Sequence, residues 1–113
     1  MCIRDSLGPE HPDTAQSLNN LGAVLDDIGD PAGAQLYYER ALAIRERILG
    51  PEHPDTATSL NNLGWLLGAQ GNLPGARSYY ERALAIWQTK LGPNHPNTRI
   101  VRDNLAALPP ADD

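Results

Sequence analysis

The sequence predicts an all-α fold, an α-α superhelix of stacked antiparallel helical hairpins about two and a half repeats long. Three observations predict it. The chain repeats itself: LGPEHPDTAQSLNNLG begins at Leu7, LGPEHPDTATSLNNLG at Leu49 and LGPNHPNTRIVRDNLA at Leu91, offset by 42 residues each time, within the range of helical-repeat periods. YYERALAI recurs at Tyr37 and Tyr79 with the same offset, and about two thirds of the positions agree between the two full copies. Each period also holds two stretches with apolar residues three and four apart, joined by a few breaker residues, and so short a connection forces an antiparallel hairpin.

The elements follow in order along a single domain, residues 1–113. Residues 1–6 match nothing in the repeat. Residues 7–48 form the first repeat. Its first helix runs from Pro12 to Ile28, with Ala15, Leu18, Leu21, Gly22, Leu25 and Ile28 as the stripe that packs on one side. Gly29 stops it, and Asp30 with Pro31 caps the next helix, since a proline in the first turn loses no hydrogen bond. That second helix packs through Ala34, Tyr38, Ala41, Leu42 and Ile48, and ends at Gly50 and Pro51. Residues 49–90 repeat the pattern. Gly22 and Gly64 sit mid-helix, where glycine costs about 1 kcal/mol relative to alanine, so close backbone approach is expected there, with Ala34 and Ala76 as the partners. Residues 91–108 hold one more first helix, about Pro96 to Leu108. It carries Arg99, Arg102, Asp103 and Ala106 where small and apolar residues are expected, as a terminal capping helix does. Residues 109–113 are a tail opened by Pro109 and Pro110.

Composition excludes several functions. Nine Lys and Arg against fourteen Asp and Glu give a formal charge of −5, which repels phosphate backbones and anionic membrane surfaces, so neither nucleic acid nor membrane is an expected partner. Cys2 is the one cysteine and has no partner for a disulfide framework. No stretch approaches the ~20 apolar residues of a membrane span and the start carries no secretion signal, so a cytoplasmic location is expected.

These residues resemble the tetratricopeptide repeat, which places Leu-Gly on a first helix, Gly at the turn, and Ala, an aromatic residue and Ala on the second. Here they are Leu18, Leu21, Gly22, Leu25, Gly29, Ala34, Tyr38 and Ala41, then Leu60, Leu63, Gly64, Leu67, Gly71, Ala76, Tyr80 and Ala83. The family's late proline is replaced by Glu46 and Gln88. The repeat is about eight residues longer than the usual 34, and its HPDTA, LNNLG and ERALAIRE wording is similar to the repeats of kinesin light chains. The resemblance implies a scaffold that binds a protein or peptide segment in a concave groove, as a fragment of a longer array. The alternative it implies is a structural or regulatory sensor segment of a larger signalling protein of the NB-ARC or caspase-like kind, with no ligand of its own. Exposed repeat ends are expected to favour self-association.

In the family the first helices line the groove. By position its residues are Gln16, Asn19, Asn20, Ala23, Asp26 and Asp27, then Thr58, Asn61, Asn62, Trp65, Gly68 and Ala69, then Asp103 and Asn104. Asparagine offers donors and an acceptor, so Asn20, Asn62 and Asn104 either hold an extended peptide or bond between repeats and order the stack. Trp65 is the first choice for ligand contact, since exposed tryptophan often anchors binding; its alternative is packing on the last helix. Trp87, where the first copy has Arg45, is expected to pack near Lys90 and the third helix. Family members that grip chaperone tails use basic residues on the first helices, and this chain has Gln16, Thr58, Asn20, Asn62, Asp26 and Asp27 instead, so a neutral or basic segment is favoured.

His11, His53 and His95 recur one repeat apart, and stacked helices lie about 8–10 Å from one another. Ligands of one zinc each lie about 2 Å from it, so His-Pro reads as a capping element and no metal site is expected. The ERALAIRER run reads as a solvated helix face. No nucleophile–base ordering, phosphate loop or carboxylate pair stands out from the repeat, so neither enzyme activity nor a cofactor is expected.

Overall fold

The computed structural model describes residues 12–109; the expectations on residues 1–6, on Cys2 and on His11 fall outside them. Helix α1 spans Pro12–Asp27, α2 Pro31–Ile48, α3 Pro54–Ala69, α4 Leu73–Lys90 and α5 Pro96–Ala107, with no strand among the described residues. Helix α1 ends one residue before the predicted Ile28. Gly29 turns left-handed there with φ of 91°, and the Asp30 N–H returns to the Leu25 carbonyl at 2.7 Å, a reversal that a side chain would strain.

Each following helix opens on a side-chain cap that meets an otherwise orphaned N–H. The Asp30 carboxylate accepts from Gly33 N–H at 3.1 Å and the Asn72 amide oxygen accepts from Gly75 N–H at 3.2 Å. His53 Nδ1 accepts from Asp55 N–H at 3.0 Å and His95 Nδ1 from Asn97 N–H at 3.1 Å. His53 and His95 are thus capping residues.

Helices α1 and α2 form one hairpin, α3 and α4 the next, and α2 lies on α3 as α4 lies on α5. The core runs through these junctions. Tyr38, Leu42, Leu60, Leu63, Leu66, Leu67, Tyr80, Ile86, Trp87 and Val101 are buried in one cluster, and Ala15, Leu18, Ala41 and Ile44 in a smaller one. Burial of each large side chain contributes about 1.5–3 kcal/mol.

Three packing expectations need correction. Leu21 and Ile28, whose spacing predicts burial in the stripe of the first helix, are instead 48% and 69% exposed. They face the side of α1 away from α2, which no described helix covers; Leu63, the counterpart of Leu21, is 0% exposed because α2 lies over it. Ile48 is exposed at the last turn of α2, as is Lys90 at the same place in α4. The close approach at Gly22 and Gly64 is to the rings of Tyr38 and Tyr80, 2.7 Å from where a Cβ would stand, while Ala34 meets Gly22 only through its carbonyl oxygen. The methyl of Ala76 faces Gly68 instead.

The ERALAIRER run is not one solvated face. Its Glu39, Arg40 and Arg47 are exposed, but Ala41, Leu42, Ile44 and Arg45 are buried, because helical periodicity turns that side of α2 toward its neighbours.

Candidate binding groove

Arg45 is only 4% exposed and organises the α2–α3 junction. One guanidinium nitrogen donates to Ser59 Oγ at 3.0 Å and to the Asp55 carbonyl at 3.3 Å, and the other donates to Gln16 Oε1 at 3.0 Å. These acceptors are neutral. Burial pulls the Arg45 pKa down, and the nearby charge of Asp55 pushes it back up, so the buried cation is held by hydrogen bonds rather than by a contact ion pair. Sequence reasoning passed over this residue. The available signal was that one repeat position holds Arg45 and Trp87, a pair that a solvated position gives no reason to expect.

Gln16 is therefore engaged on both ends: it accepts from Arg45 and donates through Nε2 to Asn20 Oδ1 at 2.9 Å. The other asparagines bond between repeats. Asn62 Nδ2 donates to Asn19 Oδ1 at 2.9 Å, and Asn104 Nδ2 donates to Asn61 Oδ1 at 3.2 Å. This is the stack-ordering arrangement, repeated at both junctions. It ties one donor of Asn62 and of Asn104, and each of these side chains keeps an acceptor oxygen. Thr58 Oγ1 turns back to the Pro54 carbonyl at 3.4 Å.

Asp26 and Asp27 sit where their charge raises the Tyr38 hydroxyl pKa, after the larger effect of burial. Ala23, Asp27 and Asp103 are exposed, and Asp26 is half-buried. The second copy differs at these positions: Gly68 and Ala69 replace Asp26 and Asp27, and Trp65 replaces Ala23.

Trp65 is 61% exposed and so does not seal the end of the stack. It forms one wall of a cleft of about 340 Å³ whose other walls include Gly68 and Ala69 of α3, Tyr80 of α4, Asn104 of α5 and Leu108 just after it. Small residues shape that cleft. Ala107 stands one repeat after Trp65, and Gly68 and Ala69 leave room beside it. Trp87, by contrast, is buried and donates through Nε1 to the Pro54 carbonyl at 3.0 Å, at the start of α3.

No three His, Cys, Asp or Glu come together in a way that would hold a metal ion among the described residues. No described helix is long and apolar enough to cross a membrane. These positions thus present hydrogen-bonding amides, an acidic pair and an aromatic cleft.

Comparison with known proteins agrees with this architecture. The sequence pattern described as tetratricopeptide repeat matches residues 2–47, 34–89 and 67–108. The crystal structure of BtubC (BKLC) from P. vanneervenii superposes with a TM-score of 0.80 at 28% sequence identity, over 86% of this chain and 39% of that one. This chain thus spans well under half the length of that protein. No curated protein matches it.

Proposed function

Because the chain belongs to the tetratricopeptide repeat family, with kinesin-light-chain-like repeats of 42 residues, we propose that it is a scaffold whose groove receives a neutral or basic segment of another protein. Such repeats generally mediate protein–protein interaction. The observation that carries the groove assignment is Trp65, a large aromatic side chain left mostly in solvent beside an apolar cleft. An exposed hydrophobic surface of this kind is stabilised by a partner that desolvates it, and tryptophan is enriched among residues that dominate binding energy.

The charge preference follows from Asp26 and Asp27 together with the net charge of −5. A carboxylate-bearing segment would meet repulsion there with no arginine or lysine on α1 or α3 to offset it. Asn62 and Asn104 retain their amide oxygens as acceptors for backbone N–H groups of an extended ligand.

Binding to a peptide array, followed by calorimetry on the selected peptides, tests this. Trp65→Ala is expected to weaken binding by tenfold or more, about 1.4 kcal/mol, without lowering thermal stability, because the side chain buries little area. Selection of acidic peptides would contradict the charge preference. Undiminished binding by a chain changed at Trp65, Asn62 and Asn20 together would remove the groove assignment.

A further inference from the structure

The two full repeats provide an internal control on the outer face of α1. In α3 the residues Ser59, Leu63 and Leu66 are 0%, 0% and 1% exposed, because α2 covers them. Their counterparts one repeat earlier are Ser17, Leu21 and Val24. All three are exposed, Leu21 at 48% and Val24 at 55%. Among the described residues the same face is therefore present twice, once covered and once open, and the covered copy shows what covers it: the second helix of a hairpin.

The junctions also carry a matching rule. At the α2–α3 junction Arg45 donates to Ser59 at 3.0 Å. Fourteen residues separate the two, and the same step at the α4–α5 junction leads from Trp87 to Val101. Those two lie in one buried cluster, with Val101 at 0% exposure. A hydroxyl on the first helix is thus bonded by a guanidinium, and at the equivalent positions of the next junction a valine and a tryptophan share one buried apolar cluster. The physical reason is that a buried serine hydroxyl needs a hydrogen-bond partner, whereas valine is best covered by an apolar surface. Helix α1 carries Ser17, the arginine-type version.

We propose that the Ser17–Leu21–Val24 face of α1 is a docking surface for the second helix of a further hairpin of this repeat type, one with arginine at the position of Arg45. Delivery through the chain itself has its linker at hand: LGPEHP at residues 7–12 is identical to LGPEHP at 49–54, which joins α2 to α3. Second helices within this chain are not free to serve in another copy, since α2 already lies on α3 and α4 on α5. The incoming arginine would donate to Ser17 as Arg45 donates to Ser59, and Leu21 and Val24 would be desolvated as Leu63 and Leu66 are.

The test compares the full chain with a chain carrying one additional copy of residues 7–48 ahead of Leu7. Thermal unfolding and amide hydrogen exchange are read on both. The extended chain is expected to melt at least about 5 °C higher, and exchange at Leu21 to Leu25 to slow tenfold or more, toward that of Leu63 to Leu67. Changing the arginine of the added copy to tryptophan should remove most of the gain, and Ser17→Val in the same chain should restore it. Ser17→Val alone, without the added copy, is expected to leave the melting temperature unchanged. Exchange in α1 that does not slow in the extended chain would overturn the docking surface. Equal gains for arginine and tryptophan copies, whichever residue stands at 17, would overturn the matching rule.

Discussion

A Cβ placed on Gly64 would stand 2.7 Å from two ring carbons of Tyr80, whereas one placed on Gly68 would meet its nearest neighbours at 3.7 Å, ordinary contact. The two glycines lie one turn apart on α3 and share the same helical propensity penalty, about 1 kcal/mol relative to alanine. Substitution by alanine therefore separates packing from propensity. Gly68→Ala is expected to stabilise by up to about 1 kcal/mol, while Gly64→Ala should destabilise by about 1–2 kcal/mol net, because the Tyr80 ring is buried and displacing it costs more than the helix gains. Urea denaturation of both variants reads the contrast; a Gly64→Ala chain as stable as the Gly68→Ala chain would mean the ring moves freely. The presence of a close approach at Gly64 was legible in the sequence from the cost of glycine in mid-helix. The identity of the partner was not, since it depends on whether a ring or a methyl reaches across the hairpin. Arg45 was illegible for a related reason: charge alone reads as solvent exposure, and only the helix that packs above it supplies the Ser59, Asp55 and Gln16 acceptors.

At the scale of whole helices, boundaries came out of the sequence almost residue by residue, because Gly, Pro and the capping residues act within one turn and need no tertiary information. Helix α5 was expected over about Pro96 to Leu108 and spans Pro96–Ala107. The histidine caps belong to this local class. His53 accepts from Asp55 N–H at the start of α3, so His53→Leu is expected to cost about 1 kcal/mol and His53→Asn, which supplies another capping acceptor, only a few tenths. Stability measurements on the two variants check this, and equal losses would show that the ring packs rather than caps. What the pattern of apolar residues did not reveal was which face of each helix has a neighbour. Leu21 and Ile28 belong to the apolar stripe read from the spacing yet are exposed, as is Val24 beside them, since periodicity records which side is apolar and not whether anything lies against it.

For the molecule as a whole, a tyrosine ring packs at the centre of each full hairpin, Tyr38 on Gly22 and Tyr80 on Gly64, and this gives the stack a dependence on alkali. Burial raises the hydroxyl pKa of Tyr38, Tyr79 and Tyr80, with Asp26 and Asp27 adding to the effect at Tyr38 and Glu39 and Glu46 at Tyr79, the last partly opposed by Arg82. The folded state therefore holds these phenols in the neutral form more firmly than the unfolded chain does. Their contribution to stability is complete below the ordinary phenol value of about 10 and is lost as pH rises through the higher folded-state values, because the unfolded chain releases protons first. Stability from tyrosine should stay flat from neutral pH to about 10 and fall beyond it. Urea unfolding repeated between neutral pH and pH 11, with tyrosinate absorbance followed in parallel, measures this. Tyr80→Phe is the informative variant: it keeps the ring against Gly64 and removes the ionisable hydroxyl, so the alkaline loss should shrink while the stack remains. A decline just as steep in a chain with Tyr38, Tyr79 and Tyr80 all changed to Phe would assign the alkaline sensitivity to other groups. The exposed ion pair Arg82–Glu46 at 2.7 Å cannot mimic the effect, since surface pairs of this kind contribute about 0–1 kcal/mol and arginine keeps its charge throughout that range.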